Sequence, residues 1–214
     1  MIKVGLAGAT GWAGSELARA IPKTADLVLV AAVSRKHAGH SLGEVLGEPL
    51  LTCSVHKSVA EALAHPCDVF VEYTKPESAR SNIETALECG AHVVVGTSGL
   101  TDDDFAEIDV VARKQRRGVL AKVRLPEPTI PVDRTVGPPE SRGTTLSGSQ
   151  VHSVRLPGYV ISAEVVFGMP DQRLTIRHDS GNSARPYVDG ALLAIRKVSE
   201  LVGVHRGLDS VLDL

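Results

Sequence analysis

The chain has little of what marks a disulfide-stapled, metal-bound or nucleic-acid-binding protein. Cys53, Cys67 and Cys89 are its three cysteines. They are odd in number and lack Cys-x-x-Cys spacing, which argues against a disulfide framework or zinc knuckle and leaves them as expected small core residues. A formal net charge of -2 gives no electrostatic footprint for nucleic acid or an anionic membrane. The basic run Arg113-Lys114-Gln115-Arg116-Arg117 reads as a solvated helix end. No apolar stretch reaches the roughly 20 residues a spanning helix needs, and no basic leader opens the chain. The expected setting is a reducing cytoplasm, with neither nucleic acid nor membrane as partner. His-Glu-x-x-His and Gly-x-Ser-x-Gly are both missing, which puts metal-assisted hydrolysis and acyl transfer low among the candidate chemistries.

What is present begins at the first residues. The apolar run Ile2-Lys3-Val4-Gly5-Leu6-Ala7 leads into Gly8-Ala9-Thr10-Gly11-Trp12-Ala13-Gly14, the order of a strand, a glycine turn and a helix start. Small residues let a backbone approach a pyrophosphate, and the N–H groups and dipole of a helix beginning near Ser15 stabilise its charge. The glycines stand three apart, a variant of the more usual Gly-x-Gly-x-x-Gly. Such a turn also serves as a plain strand-to-helix connection, but a second strand at the right distance favours a dinucleotide site.

With 43% hydrophobic residues, the chain can bury one large core or two modest ones, and its apolar runs suggest two unequal lobes. Residues 1–121 alternate strand and helix signals: Ile2–Ala7, Ser15–Ile21, Leu27–Val33, Val69–Glu72, Glu77–Cys89, Ala91–Val95, Thr101–Lys114 and Gly118–Ala121. Thr101 and Asp104 have capping-box spacing. This order predicts a Rossmann-like parallel sheet covered on both faces. Pro126, Pro128, Pro131, Pro138 and Pro139 then mark an extended connector. Three β-rich runs, Thr144–Leu156, Tyr159–Phe167 and Arg173–His178, predict a small mixed or antiparallel sheet arranged as a meander. Val188–Leu201 has helical spacing. The expected organisation is a dinucleotide-binding domain over 1–121, a substrate and oligomerisation domain over 122–187, and a C-terminal helix and tail over 188–214 that returns to the first domain.

The second strand ends in Val33-Ser34-Arg35-Lys36, where dinucleotide folds often place an acid for the ribose hydroxyls. A hydroxyl followed by two cations suits a 2′-phosphate and tilts the expectation toward NADPH, although an ordinary solvated turn has the same composition. Tyr73-Thr74-Lys75-Pro76 and Gly96-Thr97-Ser98-Gly99 follow later strands, at the carboxyl edge where open α/β sheets keep their sites. The second can bring N–H groups and hydroxyls to a nicotinamide or a carboxylate, and it can equally be a helix-capping turn. Glu72 reads as a strand-closing residue with local partners rather than a catalytic carboxylate. His152 and His178, beside Arg155 and Arg177, read as hydrogen-bonded structural histidines rather than proton donors.

Taken together, Val4–Ala13, Asp68–Pro76, Ala91–Thr101, Val151–Arg155, Leu174–Asp179 and Gly207–Leu214 resemble the dihydrodipicolinate reductase family, also called 4-hydroxy-tetrahydrodipicolinate reductases. The resemblance covers nearly the whole sequence. It implies a homotetrameric cytoplasmic enzyme of lysine and diaminopimelate biosynthesis that reduces a small cyclic dicarboxylate with NADPH or NADH. It places Gly8, Ala9, Thr10, Gly11, Trp12 and Ala13 at the pyrophosphate, Ser34 and Arg35 at the adenosine ribose, and Gly96, Thr97 and Ser98 at the nicotinamide. Arg185 and Tyr187 match an arginine and aromatic pair near the coenzyme with spacing altered by a residue.

One departure follows Ala121. Family members continue through Pro-Asn-Phe, a long helix, a strand, a His-His-x-x-Lys stretch and a Ser-Gly-Thr stretch, whereas Lys122-Val123-Arg124-Leu125-Pro126 resembles sequence that normally comes later. The family's proton donor, substrate-binding lysine and carboxylate-holding donors are therefore unassigned here. Hydride addition to a conjugated C=N or C=C system needs a positioned acid, and two carboxylates need cations and N–H groups. A chain continuous at Ala121-Lys122 is expected to bind coenzyme with very low or absent family activity. Two other readings stand beside the reductase. One is a nucleotide-binding scaffold or regulator without activity. The other is an N-acetyl-glutamyl-phosphate or semialdehyde-type reductase, whose chemistry needs an activated cysteine.

Overall fold

The computed structural model describes residues 1–121, 143–146, 149–152, 154 and 161–212. The proline-rich connector, the Ala121-Lys122 junction and Arg155 lie outside them. By contacts the chain divides into one unit of residues 1–123 and 183–214 and a second of residues 124–182. The first unit thus takes in the C-terminal segment from Ser183, five residues before the expected boundary at 188.

The first unit is built on a parallel sheet of seven strands: β1 (Ile2–Ala7), β2 (Leu27–Val33), β3 (Val55–His56), β4 (Val69–Glu72), β5 (His92–Val95), β6 (Gly118–Ala121) and the C-terminal strand Gly203–Arg206. The order runs from Gly203–Arg206 through β6, β5, β4 and β1 to β2 and β3, so the winding reverses between β1 and β4. Helices α1 (Trp12–Ala20), α2 (Leu42–Leu46), α3 (Val59–Ala62), α4 (Pro76–Glu88) and α5 (Asp102–Gln115) provide crossovers, and α6 (Val188–Lys197) precedes the last strand. This is the doubly wound arrangement expected of alternating strand and helix signals.

Alternation along the strands sorts side chains onto two buried faces. Val4 and Leu6 of β1, Val69 and Val71 of β4, Val94 of β5 and Leu120 of β6 pack with Leu17 and Ala18 of α1 and Leu192 and Ile195 of α6. Phe70, Val93, Val95 and Val119 face the other way, onto Ile83 and Leu87 of α4 and Phe105 and Ile108 of α5. Fully burying each such aliphatic side chain stabilises the fold by roughly 1.5–3 kcal/mol. Thr101 caps α5, accepting from Asp104 N–H at 3.1 Å while its own N–H donates to the Asp104 carboxylate at 2.8 Å. The expected capping box is present.

Short elements were not foreseen: α2, α3 and β3 fill the connection between β2 and β4, and the last strand lies in what read as a tail. α1 starts at Trp12 rather than Ser15, with Gly11 as its N-cap. The cysteines do not share a core role, since Cys53 is buried, Cys67 intermediate and Cys89 exposed.

The second unit contains β7 (Thr144–Leu146) paired with β8 (Ser149–Val151), and β9 (Ile161–Met169) paired with β10 (Gln172–Ser180), both antiparallel. Among the described residues these are two separate two-stranded sheets, not the expected three-run meander. Asp171, at φ 58°, takes the left-handed conformation that turns β9 into β10. The remaining strand is β11 (Gly203–Arg206), which pairs Gly203 with Gly118 and Arg206 with Ala121.

Candidate functional site

The loops after β1, β2, β4 and β5 meet at the carboxyl edge of the sheet, beside the reversal between β1 and β4, where doubly wound folds bind ligands. Gly8 leaves β1 at φ +74°, and a Cβ there would lie 2.3 Å from the Tyr73 carbonyl oxygen. At Gly14 a Cβ would lie 2.1 Å from the Gly8 carbonyl oxygen. These two glycines let the turn fold under α1 and against the β4 loop; Gly11, exposed at the N-cap, gives the helix end no side-chain capping bond. The first N–H groups of a helix have no partner within it, and no side-chain oxygen of Gly11 supplies one. The residues present therefore fit a diphosphate: open amides, a dipole of the right sign and no carboxylate from Gly8 through Ser15.

Thr10 and Ser34 join the loops after β1 and β2, their hydroxyl oxygens 3.1 Å apart. Gly8 N–H donates to Val33 O at 3.0 Å and Ser34 N–H to His56 O at 3.0 Å, fixing the end of β2. Arg35 and Lys36 beyond it are exposed. Trp12 stands at the start of α1, 47% exposed, its ring 6.3 Å from that of Tyr187 and tilted by 59°. Arg185 begins the same short turn as Tyr187 and is exposed.

The third and fourth loops are tied through Glu72. This carboxylate is fully buried at the end of β4. Oε1 accepts from Thr74 N–H at 2.7 Å and from the Thr74 hydroxyl, Oε2 accepts from Asn82 Nδ2 at 2.9 Å on α4, and the Thr97 hydroxyl lies 3.4 Å from Oε1. The Glu72 carbonyl accepts from Gly96 N–H at 3.1 Å and the Thr97 hydroxyl at 3.1 Å. Burial pushes the carboxyl above its ordinary value against the pull of these neutral donors. Thr97 is buried and bonded inward, whereas Gly96 and Ser98 are exposed. Tyr73 bridges two loops: its N–H donates to Ala7 O at 3.2 Å, and its ring lies where a Cβ of Gly96 would be, 2.1 Å from the nearest ring carbon.

Thus the structure gathers Gly8, Ala9, Thr10, Gly11, Trp12, Ala13, Ser34, Arg35, Gly96, Thr97 and Ser98 along one edge, and adds Tyr73, Glu72 and Asn82 to them. Asn82 carried no local signal; it reaches Glu72 only because α4 folds back over β4. His152 and His178 are exposed and belong to different hairpins. Burial pushes the Cys53 thiol up to about 11 and the Cys67 thiol up to about 12, the reverse of an activated nucleophile. Among the described residues no cluster of His, Cys, Asp and Glu could hold a metal ion, and no helix is long and apolar enough to cross a membrane.

The family pattern described as "Dihydrodipicolinate reductase, N-terminus" matches residues 2–122. A 4-hydroxy-tetrahydrodipicolinate reductase of Moorella thermoacetica is 30% identical over 265 positions, covering 99% of this chain and 98% of the relative. One from Thermosynechococcus vestitus is 30% identical over 268 positions, covering 99% and 97%. The fold of the dipicolinate-bound dihydrodipicolinate reductase from Paenisporosarcina sp. TG-14 superposes with a TM-score of 0.73 at 20% identity, covering 99% of this chain and all of that one. Fold, edge site and relatives together define an oxidoreductase that works with a nicotinamide dinucleotide. The chain belongs to the dihydrodipicolinate reductase family. The Moorella alignment has 51 more positions than this chain's 214 residues.

Proposed function

We propose that this protein reduces 4-hydroxy-tetrahydrodipicolinate, a small cyclic dicarboxylate, in lysine and diaminopimelate biosynthesis, acting as a cytoplasmic homotetramer with NADPH preferred over NADH. The observation that carries the reading is 30% identity along 99% of the chain to a relative named for that reaction. The semialdehyde-type alternative needs an activated thiol and finds none in Cys53 or Cys67. The nicotinamide supplies the hydride when bound. The chain's own part begins with the amides of Trp12 and Ala13 at the start of α1, which face the diphosphate, while the Gly11 N–H closes the turn onto Gly8 O at 2.9 Å. Ser34, held by Thr10, and the guanidinium of Arg35 take the ribose and its 2′-phosphate, with Lys36 adding charge. Gly96 and Ser98 face the reactive end, backed by Tyr73.

The β9–β10 ribbon supports assembly. Its register puts Val165, Phe167, Leu174 and Ile176 on one face, and all four are 49–58% exposed. The opposite face carries Glu164, Arg177 and Asp179, with Arg177 Nε donating to Asp179 at 2.8 Å. An apolar face of this kind is matched by the same face of another copy.

Titration with NADPH and NADH, followed by the fluorescence of the single tryptophan, Trp12, tests the coenzyme. NADPH is expected to bind more tightly, and Arg35→Ala to weaken NADPH about tenfold, the worth of one charge-assisted contact, while sparing NADH. An unchanged ratio would remove the 2′-phosphate assignment. Turnover with the dicarboxylate substrate is expected to be slow, since the family's proton donor and substrate-binding lysine are unassigned here; binding without any turnover would make the chain a nucleotide-binding scaffold instead.

A further inference from the structure

Glu72 is a fully buried carboxylate with no cation among its partners in the described residues, placed directly beneath the loops of the coenzyme edge. A fold keeps such a group only where its bonds do something an apolar residue cannot, because desolvating a charge is unfavourable. Its donors come from three separate pieces of chain: Thr74 in the β4–α4 loop, Asn82 on α4, and Thr97 in the β5–α5 loop. The Glu72 carbonyl holds Gly96 and Thr97 as well. The loop carrying Tyr73 and the loop carrying Gly96 and Ser98 are therefore set by one residue, and the Tyr73 ring rests against Gly96.

We propose that Glu72 is a positioning residue that fixes the Tyr73–Thr74 loop and the Gly96–Ser98 loop against each other, so that the nicotinamide ring is held in one orientation. The proposal rests on the coenzyme reading given above. It separates the two halves of the site. The adenosine half is built by the loops after β1 and β2, which bond to each other through Thr10 and Ser34 and make no bond to the Glu72 carboxylate. Loosening Glu72 leaves affinity in place and frees the ring.

Glu72→Gln is the discriminating variant. It keeps the acceptor for Thr74 but turns an amide N–H toward Asn82 Nδ2, two donors face to face, so the Asn82 amide must reverse or the bond is lost. Glu72→Gln/Asn82→Asp restores a donor facing an acceptor and moves the charge to residue 82. With NADPH as probe, the expected results for Glu72→Gln are a dissociation constant within about threefold of wild type and at least about a twofold loss of emission per bound nicotinamide. Where turnover is measured, kcat falls about tenfold or more with little change in KM for NADPH. The double variant recovers most of the emission.

Stability provides the contrast with a merely structural role. Because burial raises the Glu72 carboxyl, the folded chain holds that proton more tightly than the unfolded one. The corresponding stability is present in acid and lost as pH rises through the folded titration. The neutral glutamine has no such titration, so the stability of Glu72→Gln is expected to fall less with rising pH than that of wild type while emission is lost. A folded Glu72→Gln with wild-type emission would overturn the proposal. So would a parallel fall of affinity, emission and melting temperature that the double variant fails to reverse. Failure of the wild-type chain to bind NADPH would overturn the coenzyme reading itself, and is seen before any variant is made.

Discussion

The parallel sheet of the first unit and the β9–β10 ribbon of the second are both rich in Val, Ile, Leu and Phe, yet they use those residues in opposite ways. Phe70 in β4 is fully buried, enclosed by helices, whereas Phe167 in β9 is 53% exposed. In the sheet, the central strands β4, β5 and β6 pack against helices on both faces. In the ribbon, each strand has one neighbour, and its apolar face lacks any cover of its own among the described residues. Composition therefore says little about where a core lies. The number of layers decides whether apolar residues stabilise one chain or are left for a second copy.

The same truncation made in both places sharpens this contrast most. Phe70→Ala is expected to destabilise the first unit by about 3–5 kcal/mol through lost burial and a cavity that the sheet cannot close. Phe167→Ala in the dilute chain is expected to shift stability by less than about 0.5 kcal/mol. Denaturant unfolding of the two variants reads the difference directly, and equal losses would break the comparison. Next in size, Val165→Asp/Ile176→Asp puts two carboxylates on the apolar face of the ribbon. Light scattering is expected to show a smaller assembly, with NADPH affinity kept to within about threefold because the coenzyme edge belongs to the other unit. An unchanged mass would show that the ribbon is not an assembly surface. The smallest expected effect tests how local the first unit's stability is. Thr101→Ala removes the cap of α5 and should lower stability by about 1 kcal/mol without altering the assembly.

What could be read from the sequence follows the same division. β1, α1, β2, β4, α4, β5, α5 and β6 announced themselves because each repeats its pattern over enough residues to be distinguished. β3, at two residues, and α3, at four, have no such period. β11 was missed because Gly203–Arg206 is partly buried at a sheet edge and has no clean alternation. Among the described residues the runs pair as two separate hairpins rather than one meander, because pairing is a non-local choice: local pattern does not say which strands are neighbours. At the site, the strand, glycine turn and helix of Gly8 to Gly14 were legible, since a turn's chemistry is written in consecutive residues. Glu72 was correctly read as closing a strand with a local partner, Thr74. Its bonds to Asn82 and Thr97 were not legible, for they exist only after β4 and β5 lie side by side under α4.

The pairing of β11 with β6 has a consequence for how this family can change length. Ala121 ends one strand and Arg206 ends the next, directly opposite each other. The chain leaves β6 at Ala121 and enters β11 at Gly203, beside Gly118 at the opposite end of this parallel pair. On the way α6 buries Leu192 and Ile195 in the core, so length can change ahead of that helix without removing a rung of the coenzyme-bearing sheet. A deletion reaching Gly203 would take β11 away, leaving β6 paired with β5 alone as the new edge of the sheet.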